Sequence, residues 1–380
     1  MKIISIVGAR PQIIKAAALS RAIEHKFSTI DEVIVHTGQH YDANMSQVFF
    51  EELGIPQPAI NLQVGSGSHG DQTSLMIQKI EKVLLDNKPD AVVVYGDTNS
   101  TLATAIAASK IHVPIVHVEA GLRSYNKRMP EEVNRILCDH TSTLLFSPTP
   151  TGYQNLMKEG FSSNKQVKAS ADHPNIYHCG DVMFDNSLYF SKISDEKSTI
   201  MDTHNLKRNQ FILGTIHRND NTDDPIKLNG LFDAFLRITE EKQVKLVLPL
   251  HPRTKKMMEK SLKKSVLSSI EESDWITILP PASFLDIIAL EKNSRLIITD
   301  SGGLQKEAYF FNKPCVILRP QTEWVEIVEA GSAVIADTDS NTIFNAATMF
   351  LDSSDLEFPP IFGDGNAAEF IANELINQFA

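Results

Sequence analysis

The sequence predicts an α/β protein built from two doubly wound parallel units that face a cleft. Short β-branched runs, such as residues 3–7 and 91–95, alternate with segments whose apolar residues recur at helical spacing. These strand runs are continuously apolar, which is typical of parallel strands covered by helices on both faces. A second series of the same kind begins near residue 211, so we expect two units of similar size.

The first series supplies the amino-terminal unit. Its predicted strands cover residues 3–7, 32–37, 91–95, 115–118 and 144–147. One helix is predicted over residues 13–25, a second begins at Thr98 or Asn99, and a third begins near Pro130 with acids in its first turn. Ligands of such sheets bind outside the carboxyl ends of the strands, where residues 8–12, 38–40, 96–97 and 119 fall.

The second series supplies the other unit. Its predicted strands cover residues 211–215, 244–249, 275–279, 296–299 and 314–318, and its predicted helices cover residues 226–242 and 284–292. We expect an amino-terminal domain over residues 1–190 and a second domain over residues 191–365. The last helix, over residues 366–380, is expected to cross back to the first domain.

Composition and charge exclude several classes of protein. The chain has 380 residues, 42% of them hydrophobic, so it can bury a large core. Its net charge of −11 argues against a nucleic-acid surface or a polybasic membrane anchor. The amino-terminal apolar run is too short for a secretory signal, and no run approaches the roughly 18 apolar residues of a membrane helix. We expect a soluble cytoplasmic protein without membrane or nucleic-acid partners.

Cysteine spacing and glycine loops exclude common metal sites and cofactors. The three cysteines are odd in number and widely separated, so reduced thiols are expected rather than a disulfide or a metal site. The loop GARPQ lacks the three-glycine dinucleotide fingerprint, and GDTNST has no Walker lysine. We therefore expect no nicotinamide cofactor, no phosphate-loop NTPase activity and no metal.

Residues 95–135 concentrate acids that the fold alone does not require. Asp97 fits catalysis and a helix N-cap equally well. Glu131 lies in a first helical turn, where the helix dipole favours acids, so by itself it favours a structural interpretation. Glu119 directly follows the buried run IVHV, where an acid is costly without a purpose. His117, within that run, is interpreted as a hydrogen-bonded core histidine.

Two loops suit an anion. Ser301, Gly302 and Gly303 lie between a strand and a helix, so their backbone amides suit a phosphate, although a tight turn explains the glycines equally well. In the first unit, Arg10 and Lys15 are candidates to neutralise a pyrophosphate from across the cleft. A solvated position is an equal alternative for Lys15.

The motifs GARPQ-IIK, GDTNST-LA, HVEAGLR, MPEEVNR, FSPT, HR-ND and TDSGGLQKEA together resemble the non-hydrolysing UDP-N-acetylglucosamine 2-epimerases. The resemblance implies a GT-B fold of two Rossmann-like domains, a UDP-sugar substrate, no cofactor and a homodimer. It also implies inversion at C2 through elimination of UDP, a 2-acetamidoglucal intermediate and re-addition, for surface polysaccharide precursors. A GT-B glycosyltransferase is the alternative from another class, and a non-catalytic nucleotide-sugar sensor is a third.

The resemblance also assigns residues. It implies catalytic roles for Asp97, Glu119, Glu131 and His217. It implies UDP-sugar contacts for Arg10, Arg135, Ser301, Gly302, Glu307 and Arg319, with Glu307 at the ribose.

The chain departs from the family pattern at three places. It reads QHYD at residues 39–42 where the best-known members read QHRE, which puts their allosteric substrate site in doubt. It reads ND at residues 219–220 where an HR-RE pattern is common. It reads TEWVE at residues 322–326 where TERPE is usual. These variants resemble the branch that acts on UDP-2,3-diacetamido-2,3-dideoxyglucuronate, which is therefore the alternative substrate.

Overall fold

The computed structural model describes residues 1–39 and 57–380. The chain divides into two compact units, Met1–Asn186 with Pro360–Ala380, and Ser187–Pro359. The predicted boundary at residue 190 lies four residues beyond this division (190 against 186), inside the same helix, Val182–Lys197. Of the variant segment at residues 39–42, only Gln39 lies within the described residues.

The described part of the first unit contains a parallel sheet with the order β3-β2-β1-β4-β5-β6-β7. Its strands are β1 (Lys2–Val7), β2 (Asp31–His36), β3 (Ile60–Asn61), β4 (Ala91–Tyr95), β5 (Ile115–Val118), β6 (Leu144–Ser147) and β7 (Asn175–His178). The chain winds in one direction from β1 to β3 and in the other from β4 to β7. The strand order therefore reverses between β1 and β4, where doubly wound sheets bind ligands.

Helices cover this sheet and end in recognisable caps. They are Arg10–Lys26, His69–Asn87, Asn99–Lys110, Pro130–Asp139, Pro150–Lys158, Val182–Lys197 and Ala367–Phe379. Prolines lie in the first turns of the helices that begin at Arg10, Pro130 and Pro150, where a missing N–H costs nothing. The last helix, Ala367–Phe379, packs against Arg10–Lys26 within the first unit.

The second unit contains a parallel sheet with the order β10-β9-β8-β11-β12-β13. Its strands are β8 (Phe211–Thr215), β9 (Lys245–Pro249), β10 (Ile276–Leu279), β11 (Leu296–Thr299), β12 (Cys315–Ile317) and β13 (Ala333–Ile335). Its helices are Ile200–Thr203, Asn219–Thr222, Pro225–Lys242, Pro252–Ser261, Lys264–Glu272, Phe284–Asn293, Gly302–Phe310, Val325–Glu329 and Ser340–Asp352. The strand order reverses between β8 and β11, so the loops after Thr215 and Thr299 are neighbours.

The two parallel sheets confirm the predicted α/β class with doubly wound topology. The strands β4, β5, β6, β8 and β11 have the predicted bounds, because each is a continuously buried apolar run. Sequence patterns gave no element for His69–Asn87, a long amphipathic helix capped by Ser68. No helix in the described ranges is both long and apolar enough to cross a membrane.

Candidate functional site

Asp97 follows β4 on a turn in which Gly96 has a left-handed φ of 61°. Thr98, not Asp97, caps the next helix, because its side chain accepts from the amides of Ser100 and Thr101. The N-cap alternative for Asp97 is therefore wrong. Its carboxylate instead lies 2.6 Å from Nη2 of Arg135.

Arg135 is held between two acids of the first unit. Its Nη1 lies 2.7 Å from Glu132, whose carboxylate also accepts from the backbone amides of Ser124 and Tyr125. These bonds make buried Glu132 a structural acid that orders the loop before its helix. The neighbouring Glu131 is exposed, so the two adjacent glutamates have different surroundings.

Glu119 and Lys15 form the second ion pair of this region. Lys15 Nζ lies 2.7 Å from Glu119 Oε2, and both side chains are about one tenth exposed, at 12% and 11%. The alternative of a solvated Lys15 is therefore wrong. Glu119 has a φ of 77°, a left-handed conformation that costs a non-glycine residue roughly 1 kcal/mol or more.

The two ion pairs meet at Gly96. A Cβ atom on Gly96 would lie 3.0 Å from Lys15 Nζ and 3.6 Å from Glu119 Oε1, so a larger residue would displace the end of the Lys15 side chain, and the left-handed φ of 61° also favours glycine. Burial raises the pKa of Asp97, and the nearby Glu119 raises it further, while Arg135 and Lys15 oppose the shift. The net pKa of Asp97 lies above its ordinary value.

The loop after β1 is closed by Gln12, which sequence patterns did not indicate. Its Oε1 accepts from the amides of Gly8 and Ala9, at 2.9 and 3.2 Å, and its Nε2 donates to the Tyr95 carbonyl. The amides of this loop are thus occupied by a protein side chain. Arg10, at the first position of the following helix, is exposed.

His217 and Asp300 meet where the strand order of the second unit reverses. The buried carboxylate of Asp300 accepts from the backbone amides of His217 and Arg218 and from Asn221 Nδ2. His217 Nδ1 lies 3.1 Å from Asp300 Oδ1, and the His217 side chain is 54% exposed. Burial alone would raise the pKa of Asp300, but these contacts lower it below its ordinary value.

Sequence reasoning missed Asp300 as a site residue, although one signal was present. It is an acid directly after a buried strand, the same feature that singled out Glu119.

The helix Gly302–Phe310 begins at the proposed anion loop. Ser301 caps this helix by accepting from the Leu304 amide, and the amides of Gly302 and Gly303 belong to its first turn, where no intrahelical acceptor exists. Arg319 approaches the same loop, since a Cβ atom on Gly302 would lie 3.4 Å from its Nη1. Both terminal nitrogens of Arg319 donate to Glu323 at 2.8 Å.

Glu307, on the same helix, has an acidic neighbour. Glu291 is completely buried, and burial together with the Glu307 carboxylate raises its pKa well above the ordinary value. In the described ranges, no cluster of His, Cys, Asp or Glu side chains suits a metal ion, and the three cysteines are free thiols.

The chain as a whole is similar to one family of known proteins. A family model described as UDP-N-acetylglucosamine 2-epimerase matches residues 22–376. A UDP-N-acetylglucosamine 2-epimerase homolog of Methanococcus maripaludis is 45% identical over 99% of this chain and 100% of its own length. The UDP-2,3-diacetamido-2,3-dideoxy-D-glucuronate 2-epimerase of Pseudomonas aeruginosa is 46% identical over 99% of both chains.

A solved structure agrees with these relatives. The UDP-GlcNAc 2-epimerase of Methanocaldococcus jannaschii, crystallised with UDP-GlcNAc and UDP, matches with a TM-score of 0.81 and 39% identity over 99% of each chain. This neighbour and the two parallel sheets confirm the predicted GT-B class of two Rossmann-like domains.

Proposed function

The chain belongs to the UDP-N-acetylglucosamine 2-epimerase family, and from this premise we propose that it inverts C2 of a UDP-2-acetamido sugar between the gluco and manno configurations. The observation that carries the proposal is the cluster around Gly96, where Asp97 and Glu119 are each paired with a cation. Two carboxylates, each held by a cation, suit proton removal and return on two faces of a sugar ring.

The chemistry proposed is elimination followed by re-addition. The C1–O bond breaks and UDP leaves with the electron pair, while a base takes the C2 proton and the C1–C2 double bond forms. UDP then adds back to C1 as an acid returns a proton to the opposite face of C2. The charge that develops at C1 makes the C2 hydrogen acidic, so the reaction needs no hydride carrier and no cofactor.

Asp97 and Glu119 are proposed as groups that move the C2 proton. The raised pKa of Asp97 supports this role, because a carboxyl group that titrates closer to the working pH both accepts and donates a proton more readily. The left-handed backbone of Glu119 supports its role, because such strain is concentrated at active sites. Arg135 and Lys15 hold these carboxylates in place through ion pairs.

Glu131 and His217 complete the proposed catalytic set. Both side chains are exposed, which leaves them accessible to a sugar. We propose that Asp300 holds Nδ1 of His217 and leaves Nε2 to act on the leaving group or on the ring. The alternative for Glu131, a helix-dipole contribution alone, predicts that Glu131→Gln has little effect on turnover.

The second unit is proposed to hold UDP. The free first-turn amides of Gly302 and Gly303 and the N-cap Ser301 are proposed to receive the pyrophosphate, and Glu307 the ribose. Arg319 already pairs with Glu323, so a phosphate would share this arginine with a carboxylate or displace it. In the first unit Arg10 is the exposed candidate for a contact with the pyrophosphate, whereas Lys15 and Arg135 form ion pairs with carboxylates.

Two sugars are candidates for the substrate. UDP-N-acetylglucosamine is the first, because most of the named relatives act on it by their names. UDP-2,3-diacetamido-2,3-dideoxyglucuronate is the second, favoured by the 46% identity to the Pseudomonas enzyme and by Trp324 in the variant segment. Either product would serve as a surface polysaccharide precursor.

Deuterium exchange tests the proposal. The purified protein is incubated in deuterated water with each UDP-sugar, and nuclear magnetic resonance follows C2. An epimerase incorporates deuterium at C2 and forms the second epimer, and the preferred sugar exchanges faster. Binding without exchange of either sugar would favour a nucleotide-sugar sensor. UDP release that requires an added acceptor would favour a glycosyltransferase.

Location and assembly are proposed on the same basis. We propose a cytoplasmic homodimer that binds no nucleic acid and no membrane. Light scattering coupled to gel filtration tests the dimer, for which a monomer mass of 42.2 kDa would be the contradicting result.

A further inference from the structure

We propose that His117 is a positioning residue: its two ring nitrogens donate to Asp139 and to the Gly96 carbonyl, and so hold the peptide that orients Asp97. His117 Nδ1 lies 2.7 Å from Asp139 Oδ1, and Nε2 lies 2.8 Å from Gly96 O. His117 and Asp139 are both completely buried. The proposal rests on the proposed function only in the role of Asp97.

The partners of His117 fix its protonation. A carbonyl oxygen only accepts hydrogen bonds, so Nε2 must carry a proton. Asp139 Oδ2 already accepts from Arg123 Nη2 at 2.7 Å and from the Gly121 amide at 3.1 Å, as expected of a carboxylate. Oδ1 is then also an acceptor, so Nδ1 must donate as well. The ring is an imidazolium.

The surrounding charges support this state. Arg123 is shared between Asp139 and the partly exposed Glu159, at 2.7 Å from each. Burial lowers the pKa of His117, but Cys138 and Asp139 raise it, and the net pKa lies well above its ordinary value. A neutral His117 would leave the buried Asp139 carboxylate with a cation that it shares with Glu159.

The bond to Gly96 acts directly on the proposed catalytic loop. The carbonyl that His117 holds belongs to the peptide that joins Gly96 to Asp97. On the other side of Asp97, its own carbonyl accepts from Asn134 Nδ2 at 2.8 Å. The peptides before and after Asp97 are thus both fixed.

Asp139 extends the same support to the second catalytic loop. It binds the amide of Gly121, two residues after Glu119, and Gly121 has a left-handed φ of 82°. One buried carboxylate therefore holds the loop after β5 directly and the loop after β4 through His117.

Two substitutions separate the two bonds of the ring. A glutamine amide reaches the position of Nε2, so His117→Gln keeps a donor for Gly96 and loses the bond to Asp139. An asparagine amide reaches the position of Nδ1, so His117→Asn keeps a donor for Asp139 and loses the bond to Gly96. If the Gly96 bond positions Asp97, kcat falls about 100-fold in His117→Asn and less than about 10-fold in His117→Gln. KM should change by less than about threefold in both, since the completely buried His117 is not accessible to a substrate.

A stability-matched variant excludes a merely structural role. Val116→Ala, on the same buried strand, lowers stability without touching Gly96 and should leave kcat near the wild-type value. Equal kcat values for His117→Gln and His117→Asn would overturn the proposal. So would kcat values that follow the melting temperature across all three variants.

Spectroscopy tests the ring independently of any activity. In protein labelled with ¹⁵N-histidine at neutral pH, the signals lost in His117→Gln should show both ring nitrogens protonated. A single protonated nitrogen would overturn the proposal even in an active enzyme. If both ring nitrogens are protonated but the protein fails the deuterium test, the proposal that His117 positions the loop is supported. Only the proposed function is then contradicted.

Discussion

Replacing the buried acid Glu291 with glutamine should stabilise the second unit, increasingly so as the pH rises. Glu291 is completely buried, and neither of its carboxylate oxygens meets a hydrogen-bond donor. Its charged neighbour is the Glu307 carboxylate, and an ionised carboxylate has no proton to donate. A proton on Glu291 supplies the missing donor, and the glutamine amide supplies one at every pH.

The magnitude follows from proton linkage. The pKa of Glu291 is near 4.5 when the chain is unfolded and well above that value in the native protein. Its contribution to stability is fully present below the unfolded pKa and is lost as the pH rises through the native pKa. Between the two, wild-type stability falls by up to about 1.4 kcal/mol per pH unit from this group. Glu291→Gln lacks this slope, although its second N–H costs about 1 kcal/mol at every pH.

Tryptophan fluorescence during urea unfolding measures the effect. The chain has two tryptophans, Trp275 and Trp324, and both lie in the second unit, so the signal reports that unit. Wild type and Glu291→Gln are compared at about pH 5 and about pH 8. The urea midpoint of the variant, relative to that of wild type, should be higher at about pH 8 than at about pH 5. Glu271→Gln, at an exposed acid in the same unit, is the matched control.

One result would refute the reasoning. If the difference in midpoint between Glu291→Gln and wild type is the same at both pH values, Glu291 does not hold a proton in the native state. If Glu271→Gln shows the same change of midpoint difference with pH, the effect comes from net charge. That result would also contradict a proton on Glu291 in the native state.

Three further predictions concern the site. Asp97→Asn should lower turnover about 1,000-fold and leave UDP affinity within a fewfold, whereas a collapse of UDP affinity would make its role architectural. Lys15→Met removes a cation that lowers the pKa of Asp97 and leaves Glu119 without its ion-pair partner, so the pH at which activity appears should rise and stability should fall by about 2 kcal/mol. An unshifted pH profile would show that Lys15 does not tune Asp97. Asp300→Ala removes the acceptor of two backbone amides, so stability of the second unit should fall by about 3 kcal/mol and kcat should fall with the displaced His217. Unchanged kcat would separate His217 from catalysis.

The strands and the loops that follow them were predictable from sequence because both are local. The run at residues 91–95 is buried along its whole length, and the polar residues that follow it must lie at a strand end. Glu119 was recognisable for the same reason. The sequence left alternatives open where side chains of similar chemistry compete: it did not decide between a cap and catalysis for Asp97, and Thr98 caps the helix.

The sequence by itself determined the α/β class, the family and the positions of the two loop clusters, since these depend on runs of apolar residues and on contiguous motifs. The tertiary structure decided which groups meet. Strand pairing aligns Ile3 with Ala91, and this brings Lys15 to Glu119 and Gln12 to Tyr95. Such partners are distant in the chain, and their pairing depends on strand order and backbone geometry, for which a linear pattern carries no signal.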